Sequence, residues 1–418
     1  MEIFEQNELT IYGNGKIIYE HHQGEAQFEL EYNPFSIILK TSRIILGQLF
    51  SMNYGKFEGL ITDTQIKVEC KKICLTKYSK YQLTFVLLDD LVIGNESDFR
   101  IFKARIFGLN INIDEFKIDD YVVSVKKIKN FESIDSFNKK YGQILESSEL
   151  IIKDKDSKIL NKESTIKISK DICLILSFIL AKNVVYNRCE FLDNDNQSQK
   201  IIKINLITNS QGNRFIYEEN LGELIPTLYE NYIKMEDNDK KCLFTSIDYL
   251  NSVSSKFLED SILSIAQVWE ILADTFLKEK INNTESINLL RTEIKNTVNK
   301  WHNENEIKDY DIDFIKNRVL ESLDWEKVIK KLEKLTENEN INSEKIGLNF
   351  KELISLRNQI AHSGRFKKVG REIEYSEIYS SAILGVKVLI LKKLGYSGDI
   401  TYFIGGIPTT KNIEYYLN

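Results

Sequence analysis

The first half of the chain alternates apolar and polar positions in the way that strands do. Phe28, Leu30 and Tyr32 each follow a polar residue, and a period of two is typical of a strand with one buried face. Four further runs are rich in β-forming residues, namely 59–68, 81–93, 109–113 and 121–128. The pattern predicts a β domain, either a sandwich or a barrel, over roughly residues 1–165.

Glycine and asparagine mark the predicted turns between these strands. Gly13-Asn14-Gly15 and Gly94-Asn95 are the clearest examples, because both residue types tolerate the backbone angles of tight turns. The first of them resembles a glycine-rich phosphate-binding loop, but it lacks that motif's spacing and no helical pattern follows it. We therefore predict a hairpin turn at this position.

One helix is predicted near the end of the β-rich region. Ser169 is a suitable N-cap for a helix that continues to about residue 185, since its hydroxyl can accept a hydrogen bond from the first turn. Cys173, Leu176 and Leu180 would form the apolar stripe of this helix. A strand at residues 200–208 is predicted to follow.

From about residue 220, apolar residues recur every three to four positions, which predicts helices almost to the end of the chain. The longest candidate covers 252–280, and the others cover 284–302, 311–335, 349–362 and 376–394. A polar loop is expected at 336–340, and an irregular or strand-like tail at 395–418. The predicted fold class is therefore α+β, with an N-terminal β-rich domain at 1–235 and a C-terminal all-α bundle at 236–418.

The composition is typical of a soluble globular protein with two or three domains. The chain has 418 residues, of which 42% are hydrophobic and 28% are charged. Its net charge of -6 excludes a protein-wide positive field for nucleic acid. The first residues are too acidic and polar for a signal peptide, and the longest apolar run, 172–181, is about half of the roughly 20 residues that span a bilayer. We expect a cytoplasmic protein that does not contact membranes.

The cysteines do not predict a metal site. There are five, an odd number, and none forms a C-x-x-C pair, so we expect reduced thiols and neither a metal nor a cofactor. Cys70 and Cys74 form one close pair, in a strand-like stretch without a nearby histidine. We interpret them as half-buried strand residues.

The candidate chemistry is concentrated at the end of the predicted helix 349–362. The chain has four histidines, and His362 alone lies beside other groups that could use an imidazole, Arg357 and Asn358. Asn358 and His362 are four residues apart and share a helix face. Arg357 diverges from His362 by roughly 140°, so its long side chain must bend to bring the guanidinium near the imidazole. Gly364 is suited to the position that follows a helix end.

These three residue types suit the cleavage of a phosphodiester. Histidine titrates near pH 6.5, so it can take a proton from a ribose 2′-hydroxyl or donate one to the leaving oxygen. The arginine can bind phosphate oxygens through two N–H groups and offset charge in the transition state. The asparagine can orient the imidazole or hold the phosphate. A simpler alternative is that the arginine and the histidine only bond the last carbonyls of the helix.

A basic segment follows the histidine. Residues 351–395 contain nine Lys or Arg and four acids, a net charge of +5. Arg365, Lys367, Lys368 and Arg371 gather just after His362, and we predict that they bind RNA. A solvated loop would have the same composition.

The string 356–364, Leu-Arg-Asn-Gln-Ile-Ala-His-Ser-Gly, resembles the R-x4-6-H signature of HEPN domains, above all in the ApeA-like proteins of bacterial anti-phage defence. Those proteins also place a large β-rich domain before a helical bundle. The resemblance implies a metal-independent endoribonuclease of the abortive-infection type, with Arg357 and His362 as catalytic residues and Asn358 beside them. It also implies a homodimer or higher oligomer in which two motifs face a shared cleft.

The resemblance suggests two more features of the site. HEPN enzymes often add an acid from the first long helix, for which Glu270 and Asp274 are the candidates, although a solvated helix face would explain both. One variant of the family has a tyrosine two residues after the histidine, which a partner enzyme modifies. Gly364 occupies that position here, which argues against such a toxin–antitoxin switch.

The sequence leaves competing functions open. The first is a nuclease that cleaves RNA, with tRNA as one candidate substrate. In this case the N-terminal domain senses a phage-derived trigger or restrains the bundle. The second is a non-catalytic module for dimerisation or for nucleotide or RNA binding, with the β domain as the recognition element. A carbohydrate-binding β domain is a third idea, for which the sequence offers no convincing carboxylate pair.

Overall fold

The fold was analysed in a computed structural model. The structure describes residues 9–19, 22–33, 36–42, 54–78, 82–107, 109, 111–128, 146–193, 198–202, 215–216, 221–253, 257–277, 285–305, 328–366, 370–404 and 407–418. The chain divides into two compact units. The first comprises Met1–Gln211 and Glu218–Glu230, and the second comprises Gly212–Tyr217 and Asn231–Asn418.

Six antiparallel strands of the first unit close into a barrel. They are β1 (Leu9–Tyr19), β2 (His22–Asn33), β3 (Ser36–Ser42), β4 (Gly55–Ile61), β5 (Lys67–Tyr78) and β6 (Gln82–Leu87). The order is β4-β1-β2-β3-β6-β5, and pairing of β4 with β5 completes the ring. Apolar side chains fill the core, where the rings of Phe28 and Phe57 meet edge to face with their centroids 5.0 Å apart. The prediction of a β-rich N-terminal domain is confirmed, and this part of it is a barrel.

The predicted hairpin turn at Gly13 is wrong. Gly13 and Gly15 lie in the middle of β1, where Gly13 pairs with Phe28 on one side and with Ile61 on the other. A Cβ atom on Gly13 would overlap both the carbonyl oxygen of Leu60 and the ring of Phe28. The glycine therefore permits close packing inside the barrel, and β1 continues to Tyr19.

We expect a Gly13→Ala variant to destabilise the barrel by about 1–3 kcal/mol, because the added methyl group must displace a backbone oxygen and a core ring. Hydrogen exchange of the β1 and β4 amides would measure the change, since a single melting curve does not separate two units. Asn14→Ala is the control, because Asn14 is exposed on the same strand. Equal protection in the two variants would contradict this packing role.

A further row of antiparallel strands extends from the barrel. It contains β7 (Leu91–Ile93), β8 (Ile101–Phe107), β9 (Ile113–Ile118), β10 (Tyr121–Lys127), β11 (Glu146–Asp154), β12 (Val185–Leu192) and β13 (Ser198–Ile202). Their order is β7-β13-β12-β8-β11-β10-β9, and β7 pairs with β5 of the barrel. The predicted strand at 109–113 begins only at Ile113, and residues 203–208 of the predicted strand at 200–208 lie outside the described residues.

Helix α1 (Lys162–Ile179) packs near this row, and it begins earlier than predicted. Asn161 caps it by accepting a hydrogen bond from the Ser164 backbone, so Ser169 lies within the helix. There the Ser169 hydroxyl lies 2.9 Å from the Tyr186 hydroxyl, a buried partner on β12. The predicted stripe of Cys173 and its neighbours is buried, as expected.

The second unit is mostly helical. Its helices are α3 (Asp237–Val253), α4 (Leu258–Phe276), α5 (Glu285–Asn305), α6 (Val328–Asn338), α7 (Ser343–Ile346), α8 (Phe350–Ser363) and α9 (Glu372–Lys393), while α2 (Leu221–Lys234) crosses from the first unit. A hairpin of β14 (Asp399–Ile404) and β15 (Ile407–Asn412) follows, and then a short 3-10 helix, Ile413–Tyr416. Helix α4 is central, because α3, α6, α8 and α9 all contact it.

Three boundaries differ from the predictions. The long helix predicted at 252–280 is two helices, since Phe257 is extended (φ -62, ψ 155) and 82% exposed at the start of α4. The expected loop at 336–340 is partly helical, because α6 continues to Asn338 and the Thr336 hydroxyl bonds the Glu333 carbonyl at 2.8 Å. Helix α5 continues to Asn305, past the predicted end at residue 302, so His302 lies in its last turn.

Two other predictions concern the helix at 311–335 and the strand-like tail at 395–418. Of the helix predicted at 311–335, residues 311–327 lie outside the described residues. The tail forms the β14–β15 hairpin, which confirms its strand-like character. In the described parts of the chain, no helix combines the length and the apolar content that crossing a membrane requires.

Candidate active site

Helix α8 carries the candidate residues, and local signals determine both of its ends. The Asn349 side chain accepts a hydrogen bond from the Glu352 backbone at 3.0 Å, which caps the first turn. Leu353, Leu356 and Ile360 are buried on one face. Gly364 ends the helix with φ 69°, and its N–H bonds the Ile360 carbonyl at 2.7 Å. The predicted helix 349–362 and its glycine ending are confirmed within one residue.

The neighbouring helix α4 is fixed in rotation by Trp269. This side chain is fully buried, and its Nε1 donates to the Ala382 carbonyl of α9 at 3.1 Å. Its ring meets Phe350 of α8 edge to face, with centroids 4.9 Å apart. Gly385 of α9 leaves the space for the indole, since a Cβ there would lie 2.8 Å from it. Trp269 therefore locks α4 against α8 and α9, and the next residue along α4 is Glu270.

Glu270 reaches Arg357 across the α4–α8 interface. Arg357 Nη2 lies 3.3 Å from Oε1 and 3.4 Å from Oε2 of the carboxylate. The Arg357 side chain is 39% exposed and that of Glu270 is 29% exposed. Pairs this exposed contribute about 0–1 kcal/mol to stability, so the contact mainly sets the direction of the guanidinium.

Asn358 binds the other end of the same guanidinium. Arg357 Nη1 donates to Asn358 Oδ1 at 3.0 Å, and Asn358 shares a helix face with His362, one turn further on. The guanidinium thus contacts a residue on the helix face to which His362 also belongs. His362 is exposed in the last turn.

Two carbonyls near the end of α8 have partners other than Arg357 and His362. The Ser363 hydroxyl lies 2.6 Å from the Gln359 carbonyl, and the Gly364 N–H bonds that of Ile360. The described hydrogen bonds of Arg357 go to the side chains of Asn358 and Glu270. For Arg357, the simpler alternative of bonding the last helix carbonyls therefore lacks support in this geometry, and for His362 it stays open.

Of the two candidate acids, Glu270 is the one that contacts Arg357. Asp274 lies one turn further along α4, is 67% exposed, and forms its ion pair with Lys331 of α6. The two carboxylates therefore have different partners, and for Asp274 the interpretation as a solvated residue of the helix face is the better one.

The basic residues after His362 are partly neutralised. Arg365 is exposed, whereas Arg371 pairs with Glu374 and lies 6.0 Å from the Tyr375 ring. The ring of Phe366 packs against that of Tyr375 on α9, with centroids 4.4 Å apart and the ring planes tilted by 30°. Lys367 and Lys368 lie outside the described residues. The predicted RNA-binding role of these four residues stays a prediction.

The cysteine thiols and the candidate metal ligands are a separate question from this site. Cys70 is buried and Cys74 half-buried, both on β5, so their interpretation as strand residues is confirmed. Burial raises the pKa of the Cys173 thiol to about 12, which suppresses its nucleophilicity. Within the described residues, no group of three or more His, Cys, Asp or Glu side chains is placed to hold a metal ion.

The sequence did not single out two residues that the structure makes prominent. In the sequence, Trp269 is one apolar position among several in the predicted helix 252–280, whereas the structure makes it the anchor of the α4–α8 interface. Lys387 lies on the largely buried α9 with its Nζ 4.3 Å from the Phe215 ring centroid, and burial lowers its pKa to about 8. A lone lysine within the apolar run 382–391 was the available signal for it.

Comparison with known proteins adds no further constraint. No protein-family model, curated protein or solved structure matches this chain. Its function is therefore inferred from the residues and the geometry of the site.

Proposed function

We propose that this chain is a metal-independent endoribonuclease of bacterial anti-phage defence, of the HEPN type, that cleaves RNA and acts by abortive infection. One observation carries the proposal: the Arg357 guanidinium is held by the side chains of Asn358 and Glu270, and Asn358 shares a helix face with His362. A guanidinium and an imidazole at an exposed helix end suit a phosphodiester that must reach both.

The proposed reaction uses the 2′-hydroxyl of RNA as the nucleophile. The His362 imidazole removes the 2′-hydroxyl proton while that oxygen attacks the adjacent phosphorus. Arg357 offsets the negative charge that develops on the phosphate oxygens, and Asn358 orients either partner. The bond from phosphorus to the 5′-oxygen breaks, and that oxygen takes a proton. The products are a 2′,3′-cyclic phosphate and a 5′-hydroxyl.

A second copy of the chain would supply the remaining acid. One imidazole cannot be unprotonated for the first transfer and protonated for the second at the same moment. We therefore propose a homodimer, or a higher oligomer, in which His362 of each copy serves one of these roles. The N-terminal unit is proposed to sense a phage-derived trigger or to restrain the nuclease, because a cell must tolerate the enzyme at rest.

Incubation of the purified protein with total RNA or tRNA tests the proposal. We expect cleavage that persists in excess chelator and leaves 2′,3′-cyclic phosphate ends. Arg357→Ala should slow it by about 10²–10³-fold, because charge stabilisation in the transition state is lost. Lys351→Ala is the matched control, since Lys351 is exposed at the other end of α8. Chelator-sensitive cleavage, or an equal rate for Arg357→Ala, would refute the mechanism.

A non-catalytic binding module is the second candidate. It is favoured by one observation, the ion pair that balances the Arg357 charge with Glu270. In that case the protein would bind RNA, nucleotide or a second copy without cleaving RNA. Biological activity would then survive Arg357→Ala and be lost when the β domain is disrupted.

A further inference from the structure

The carboxylate of Glu270 occupies a side of the Arg357 guanidinium that also suits a phosphate. Arg357 Nη2 faces both carboxylate oxygens at 3.3 and 3.4 Å, and Nη1 is taken by Asn358. A guanidinium binds a phosphate most tightly through two parallel N–H groups. Arg357 has five N–H donors in all, so the pair that faces Glu270 becomes available to a phosphate when the carboxylate leaves.

Of the two partners of Arg357, Glu270 is the one that a phosphate can replace. Its contact with Arg357 is long for a charge-assisted hydrogen bond, which is usually about 2.7–2.9 Å, and Oε1 is buried without a hydrogen bond of good geometry. Asn358 bonds Arg357 at the ordinary distance of 3.0 Å. The carboxylate therefore gains modest energy from the pair, and an anion with better geometry can replace it.

We propose that Glu270 is a positioning residue that holds Arg357 ready in the unliganded protein and is exchanged for the phosphate of bound RNA. This inference rests on the proposed function. Glu270 orients the guanidinium from a rigid helix, because the adjacent Trp269 is locked to Phe350 and Ala382. The same carboxylate repels the incoming phosphate, so it raises the RNA concentration at which the site fills.

Charge arithmetic gives the size of the expected effect. In water, the interaction of two unit charges about 6 Å apart changes a binding constant roughly threefold. Where the site excludes water, the change is larger. The partial exposure of Glu270 favours the lower part of that range. Removing the carboxylate charge should therefore tighten RNA binding by about threefold to tenfold.

The test compares Glu270→Gln with Asp274→Asn. Both substitutions remove one negative charge from α4 and leave a side chain of similar size, but Asp274 contacts Lys331 instead of Arg357. Fluorescence anisotropy of a labelled single-stranded RNA, in a His362→Ala background that prevents cleavage, gives the dissociation constant. We expect a threefold to tenfold decrease for Glu270→Gln and a change below twofold for Asp274→Asn. Equal effects would overturn the proposal.

Steady-state kinetics with intact His362 separate positioning from proton transfer. Glu270→Gln should lower KM and also lower kcat, because the phosphate binds more readily to an arginine that is less well oriented. The acidic limb of the pH–rate profile should persist, and Glu270→Asp, which keeps the charge, should restore KM towards the original value. Loss of the acidic limb would instead make Glu270 a proton-transfer residue and would overturn the positioning role.

The two proposals fail in different ways. If the original protein binds RNA without cleaving it, the nuclease function fails, while the comparison of dissociation constants still decides the role of Glu270. If it cleaves RNA and Glu270→Gln leaves the dissociation constant unchanged, the exchange alone fails. If the protein does not bind RNA at all, both are overturned.

Discussion

A His362→Ala variant is expected to lose RNA cleavage by about 10²–10⁴-fold, the range that a positioned acid or base contributes. The imidazole is the proposed proton acceptor for the 2′-hydroxyl, and a methyl group cannot replace it. His362 is exposed at the end of α8, so the substitution should change the free energy of unfolding by less than about 0.5 kcal/mol. Loss of cleavage without loss of stability would identify a chemical role.

The measurement is the rate of formation of cyclic-phosphate ends under single-turnover conditions. His302→Ala is the matched control, because His302 lies at the end of another helix, α5, and is half-buried. It should cleave RNA at the original rate. If His362→Ala also cleaves at that rate, the nuclease assignment is wrong and the binding-module alternative gains support.

A Trp269→Ala variant is expected to lower the free energy of unfolding of the helical unit by about 3–5 kcal/mol. The indole is fully buried between α4, α8 and α9, and its removal leaves a cavity that the surrounding helices fill only in part. Because Trp269 fixes the rotation of α4, the contact between Glu270 and Arg357 should loosen as well. Cleavage should fall even at temperatures where the protein remains folded.

Hydrogen exchange of the α4, α8 and α9 amides would measure this loss without interference from the barrel. Phe257→Ala is the control, since it removes a large aromatic side chain that is 82% exposed at the start of the same helix. Its effect should stay within about 0.5 kcal/mol. Similar losses in the two variants would show that Trp269 is not the anchor of this interface.

Local sequence signals were sufficient for helix α8 and for the spacing of its polar residues. The cap at Asn349 and the left-handed Gly364 each act within one turn of the chain, so a reader of the sequence can see them. The barrel was anticipated only as one of two β architectures. Whether Gly13 makes a turn or admits a neighbouring ring depends on Phe28 and Leu60, which are distant in sequence.

The choice between the two acids shows most clearly what the sequence alone could not decide. The sequence by itself determined that Arg357, Asn358 and His362 lie near one helix end, because a helix fixes the relative directions of residues this close. It placed Glu270 and Asp274 one turn apart on α4 and could not rank them. The rotation of α4 about its axis decides which of them meets Arg357, and long-range packing of Trp269 against Phe350 and Ala382 fixes that rotation.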